Sequence, residues 1–192
     1  MIRTIRLAML ASLGLLAVAT SARAEIDPLT RQPLMVSSDP SKAQATAIPR
    51  EVVSFSGKYN PGTIVINTTE RRLYYVMPDG KAMRYGVGVG RPGFDWAGAQ
   101  TITRKQEWPT WTPPAQMLRR RPDLPRFMPG GPENPMGARA MYLGSTLYRI
   151  HGSNEPETIG QAVSSGCIRM LNEDVMDLYE RAKVGTRVVV AR

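Results

Sequence analysis

The chain has 192 residues, a formal charge of +9, and a single histidine and a single cysteine. That length suits one domain with a substantial core. One His and one Cys can supply neither an internal disulfide nor the four N/S ligands of a structural zinc site. A basic balance favours nucleic acid, an anionic membrane or an acidic polymer, but the chain has no nucleic-acid-binding motif.

Residues 1–24 read as a secretory signal peptide. Arg3 and Arg6 precede an apolar run from Leu7 to Ala19, and Ala22-Arg23-Ala24 supplies a small-residue cleavage site. The run is shorter than the ~20 residues a bilayer-spanning helix needs. Export is therefore expected, with a mature chain beginning near Glu25. Without Arg3, Arg6 and Arg23 the charge is still +6. Residues 25–50 hold Pro28, Pro33, Pro40 and Pro49 and no sustained periodicity, the pattern of a flexible leader. A single domain is expected over 51–192.

From Gly62 the sequence turns β-branched and aromatic. Strands are expected over Thr63–Asn67, Arg72–Val76 and Ala82–Val87, with Met77-Pro78-Asp79-Gly80 as a turn. Gly86-Val87-Gly88-Val89-Gly90 lacks the spacing of a dinucleotide-binding turn and reads as a Gly-alternating strand. A further short strand is expected over Gln100–Lys105. Residues 109–136 hold eight of the 16 prolines and the Arg119-Arg120-Arg121 cluster, so regular structure is not expected there. A loop this long is either functional, here a lid carrying cations, or a solvated insertion. Strands over Arg139–Leu143 and Thr146–Ile150 then deliver His151.

The stretch from Ile150 to Met170, I-H-G-S-N-E-P-E-T-I-G-Q-A-V-S-S-G-C-I-R-M, contains both singular residues. A thiolate is a strong nucleophile, and a nearby imidazole can take and return its proton. Gly166 before Cys167 permits a sharp turn that brings backbone N–H groups toward a substrate carbonyl. A lone cysteine is also at home as a small buried hydrophobe. Beyond it, Asn172 is the expected N-cap of a helix carrying Val175, Leu178, Tyr179 and Ala182 on one face, with Glu173 and Asp174 at its start and Gly185 as the stop. Thr186–Ala191 reads as a closing strand.

H-G-S-N followed by S-S-G-C-I-R-M resembles the signature of the L,D-transpeptidases, the YkuD-like enzymes that cross-link bacterial peptidoglycan. Ser165 stands where that family commonly has a second histidine. The resemblance extends through Asn134-Pro135-Met136-Gly137 and covers about Gly62 to Ala191. It implies a mainly β fold, a β-sandwich or meander, with one short helix after the cysteine and a long Pro-rich loop.

It also implies roles. Cys167 attacks the third-residue carbonyl of a tetrapeptide stem, D-alanine leaves, and an amine acceptor resolves the thioester. His151 is base and acid, oriented by a carbonyl at or near Gly152. Gly166 and Cys167 supply oxyanion N–H groups, and Ser164, beside Ser165, holds the loop. Arg169 either binds a substrate carboxylate or braces the loop against Asp174, while Arg149 reads as a solvated strand residue. The implied partners are peptidoglycan stem peptides, with a second stem, a D-amino acid or a lipoprotein lysine as acceptor. The implied compartment is the periplasm, and no metal or organic cofactor is required. Two other readings use the same residues: an L,D-carboxypeptidase that passes the thioester to water, and a non-catalytic wall-binding module.

Overall fold

Continuous β-branched runs and alternating burial shape the chain into strands, seen in a computed structural model that describes residues 48–192. The expected signal peptide and most of the expected leader lie outside the described residues. The elements run β1 Glu51–Ser54, β2 Ile64–Asn67, β3 Arg72–Met77, β4 Lys81–Gly86, β5 Val89–Gly90, β6 Gly98–Glu107, α1 Ala115–Arg120, β7 Arg139–Leu143, β8 Arg149–His151, β9 Ala162–Ser164, β10 Ile168–Arg169, α2 Asn172–Arg181 and β11 Arg187–Ala191. A single 3₁₀ turn covers Pro156–Thr158.

Nine strands form one curled sheet in the order β1-β4-β3-β2-β11-β6-β7-β8-β10, and β5 pairs with β9 separately. The expected meander is β2-β3-β4, antiparallel throughout. β2 reads Ile64-Val65-Ile66, all buried, because it lies in the sheet interior between β3 and β11. Ile64, Leu73, Ile102, Met141, Ile150 and Ile168 are core residues at 0–1% exposure. Val175 and Leu178 of α2 close the core over them.

Four sequence expectations change. β1 was not anticipated; it sits at the sheet edge, largely exposed, where burial imposes little pattern. The Pro-rich stretch 109–136 contains the helix α1, so α2 is not the only helix. Pro114 precedes α1, a placement that costs no hydrogen bond because first-turn N–H groups lack intrahelical partners. The Gly-alternating strand is broken: β4 ends at Gly86 and β5 begins at Val89, with Gly88 bridging to Arg169. Asn172 is not the helix cap, a position held by Leu171. Its Oδ1 instead accepts the Ala138 N–H at 2.9 Å, tying the helix start to the entry of β7.

The last residues of the expected leader are packed. A Cβ added at Gly86 would strike the Ile48 side chain, so the two chain segments are in close contact there. Arg50 Nη1 lies 3.5 Å from Asp174 Oδ1 and donates to Glu173 O at 3.3 Å. Asp174 is only 3% exposed. Burial raises its carboxyl pKa to about 6, with Arg50 pulling it down and Glu173 and Asp177 pushing it up. That value exceeds the unfolded ~3.9, so between the two the native chain binds more protons than the unfolded one. Stability therefore falls as pH rises from about 4 through 6. Asp174→Asn should flatten this part of a urea-unfolding series, removing a loss of at most about 3 kcal/mol. An unchanged slope would mean that Asp174 is effectively solvated.

Candidate active site

β8 and β10 are parallel neighbours in a register that pairs Ile150 with Ile168 and His151 with Arg169. Side chains alternate across a strand, so residues of one parity share a face. Ile150 and Ile168 point into the core at 0% and 1% exposure. The opposite face receives Arg149, His151 and Arg169, with Cys167 continuing the β10 parity. Burying two isoleucines thus brings all four polar residues to one side.

His151 is 5% exposed, and its Nδ1 lies 2.5 Å from Gly152 O. That contact requires the proton on Nδ1 and leaves Nε2 as the unprotonated base. Burial, then the charges of Arg169 and Arg149, push the imidazole pKa down to about 3, against the opposing pull of the Gly152 and Met136 carbonyls. The Cys167 side chain is half-buried. Burial raises the thiol pKa, and Arg149 is the main opposing influence. The resting pair is therefore a neutral thiol and a neutral imidazole. Cys167 Sγ points at Leu147 O, 3.7 Å away.

The loop before the thiol is held from several sides. Ser164 Oγ donates to Cys167 O at 2.6 Å and accepts the Gly166 N–H at 3.1 Å. That occupies one of the two expected oxyanion donors. The Cys167 N–H has no partner among the described residues and is the donor left over. Gly166 has φ 106°, and a Cβ there would strike the Tyr148 ring. Tyr148 stacks on Trp96 with ring centroids 4.5 Å apart, and Trp96 Nε1 donates to Gly166 O at 2.8 Å. Ser165 Oγ accepts from Arg91 Nη1 at 3.2 Å. Arg91 also lies over the Phe94 ring at 4.1 Å.

Arg169 does not reach Asp174. Its guanidinium pairs with Glu155 at 2.7 Å and contacts Thr158 Oγ1 at 3.4 Å, because β10 directs it toward the 3₁₀ turn while Asp174 faces Arg50. Arg149 is not simply solvated, since it influences both Cys167 and His151. Sequence reasoning missed Arg91, Trp96 and Glu155 as site neighbours. None stands in the motif at a spacing that marks it; Arg91 and Trp96 are more than 50 residues from His151. Among the described residues no three His, Cys, Asp or Glu side chains gather into a group able to hold a metal ion.

A family model described as the L,D-transpeptidase catalytic domain (YkuD) matches residues 61–190, and the chain belongs to that family. The probable L,D-transpeptidase ErfK/SrfK of Escherichia coli K12 is 45% identical over 136 residues, covering 66% of this chain and 43% of that protein. The chain thus spans less than half the length of this curated relative. A solved Brucella melitensis structure, titled a probable carnitine operon oxidoreductase, is 46% identical with a TM-score of 0.52, covering 79% of this chain and 99% of that one. An L,D-transpeptidase from Mycobacterium smegmatis, 16% identical with a TM-score of 0.55 over 68% of this chain and 58% of that one, shares the fold.

The depressed imidazole pKa is open to a direct check. It lies below the unfolded ~6.5, so His151 favours folding fully above that pH and loses its contribution as pH falls toward 3. With one histidine in the chain, nitrogen-detected NMR gives a single imidazole pattern. It should show the Nδ1–H tautomer and no midpoint between about pH 5 and 8. A midpoint near 6.5 would contradict the burial described.

Proposed function

We propose that the chain is an exported, periplasmic L,D-transpeptidase in which Cys167 forms a thioester with a peptidoglycan tetrapeptide stem. The observation that carries this reading is the β8–β10 register, which sets Cys167 on the same face as a neutral His151 held at Nδ1 by the Gly152 carbonyl. The thiol passes its proton to Nε2 as sulfur attacks the third-residue carbonyl carbon. The Cys167 N–H stabilises the developing oxyanion, a contribution worth ~10²–10³ in rate where one such donor is lost in other enzymes. The C–N bond to the terminal D-alanine breaks, and the imidazolium donates its proton to the departing amine. An imidazolium of low pKa is a strong acid, so this second transfer is fast. An acceptor amine then attacks the thioester, gives its proton to Nε2, and the thiol is restored.

The acceptor is a second stem, a free D-amino acid or a lipoprotein lysine; water in its place gives an L,D-carboxypeptidase. The positive charge suits stem-peptide carboxylates, and among the described residues no helix is long and apolar enough to cross a membrane. The oxidoreductase name carried by the Brucella structure finds no support in the glycine run. Residues 86–90 end β4 and open β5, which pairs with β9; they do not form a strand-to-helix phosphate turn.

The test is acylation rate against pH, followed by intact mass, with a stem tetrapeptide or a carbapenem as donor. Because His151 stays neutral down to about pH 3, the wild-type rate should be nearly flat over about pH 5 to 8. His151→Gln should be slower and rise about tenfold per pH unit, tracking free thiolate. Cys167→Ala should form no adduct while keeping its fold. Identical profiles for wild type and His151→Gln would undo the mechanism, since the chain has no other histidine. Products formed with and without an acceptor stem then separate transfer from hydrolysis.

A further inference from the structure

Three arginines lie against the nucleophile loop, and two of them are committed elsewhere. Arg169 is neutralised by Glu155 at 2.7 Å. Arg91 is spread over Phe94 and bonded to Ser165. Arg149 pairs with no carboxylate among the described residues. Its Nη1 donates to Leu147 O at 3.0 Å, and its side chain also reaches the Cys167 sulfur. The Tyr142 ring, 5.3 Å from the guanidinium carbon, steadies it. The Cys167 thiol points at the same Leu147 oxygen. A cation with unsatisfied donors and the nucleophile therefore converge on one atom.

The substrate's geometry matches that spacing. The stem's scissile carbonyl and its terminal carboxylate are one residue apart, about 3.8 Å along the chain. Whatever holds the carboxylate must sit about one strand spacing, ~4.8 Å, from the sulfur. Continuing the β8–β10 register by one residue sets Arg149 opposite Cys167 on the same face, and its side chain reaches the sulfur. A guanidinium presents a planar fork suited to two carboxylate oxygens.

We propose that Arg149 is the carboxylate-binding residue of the acyl-donor site, gripping the terminal carboxylate of the residue that leaves. The proposal rests on the reading of Cys167 as nucleophile. It assigns donor selection to Arg149 and leaves Arg169 as a strut between β10 and the 3₁₀ turn.

The experiment compares two donors, a stem tetrapeptide with a free C-terminal carboxylate and the same peptide as its C-terminal carboxamide. Acyl-enzyme formation is followed by intact mass, giving kcat/KM for wild type, Arg149→Gln and Arg149→Lys. Wild type is expected to favour the carboxylate by about tenfold to a hundredfold. Arg149→Gln should bring the ratio close to one, and Arg149→Lys should keep part of it, because the charge survives and the fork does not. The ratio is the decisive quantity, since any change in thiol reactivity from losing Arg149 affects both donors alike. An undiminished ratio in Arg149→Gln, or no preference in wild type, overturns the assignment while leaving the transpeptidase reading intact. Wild type that forms no acyl-enzyme with either donor overturns that reading, and this one with it.

Discussion

Everything at the site depends on one short parallel pairing. β10 is two residues long, yet its register with β8 sets which side chains face the core and which face the candidate site. A slip of β10 by one residue would turn Ile168 outward and bury Arg169 away from Glu155, at a cost of several kcal/mol for the charge. The hydrophobic effect acting on two isoleucines is thus what aligns a thiol with an imidazole. Gly88 locks the far edge, exchanging backbone hydrogen bonds with Arg169 at 2.9 Å in both directions.

Gly152 serves the same end from the other side. Its carbonyl fixes the histidine tautomer, and its missing side chain lets the chain pass close to Asn172 and to the Gly137–Ala138 backbone. Gly137 adopts φ 62° at this crossing, where a Cβ would strike both Asn172 and the Ser153 backbone. The Asn172 amide oxygen fills the space that two side chains would occupy and accepts the Ala138 N–H. The start of α2, the entry to β7 and the end of β8 are therefore pinned together within one contact. Asn134 extends the clamp upstream, donating to Pro129 O at 2.8 Å and accepting the Met136 N–H at 2.8 Å.

How much of this the sequence reveals depends on whether the cause is local. The strands of the meander, the apolar face of α2 and the His-Gly and Ser-Ser-Gly-Cys motif are written in runs or fixed spacings, and they are legible. Asn172 is chemically a good cap, but a long-range acceptor role competes for the same oxygen and prevails. Trp96 and Tyr148 meet only after the sheet folds, although together they hold Gly166 in place. The partner of Arg169 shows the limit of reasoning from charge. Asp174 and Glu155 are both acidic and near in sequence, and only the direction of β10 decides between them. Alternation along β8 puts Arg149 on the His151 face, but nothing in its own sequence context marks the thiol as its neighbour.

The electrostatics explain why the site rests uncharged. A thiolate–imidazolium pair would put a cation where burial, Arg149 and Arg169 already oppose one. Arg149 favours thiolate at Cys167, but desolvation outweighs it. Both groups therefore rest neutral, and under the proposed mechanism charge develops only when a carbonyl arrives and an oxyanion can share it. In that proposed step Arg149, which disfavours imidazolium, would also stabilise negative charge on the sulfur. Under that mechanism the positive potential would act on the transition state, where it is complementary, and not on the resting thiol. Coulombic support of this kind is strongest when solvent is excluded. The stacked rings of Trp96 and Tyr148 pack beside Gly166 and cover one side of the loop that carries Cys167, which links the packing of two aromatic rings to the surroundings of that cysteine.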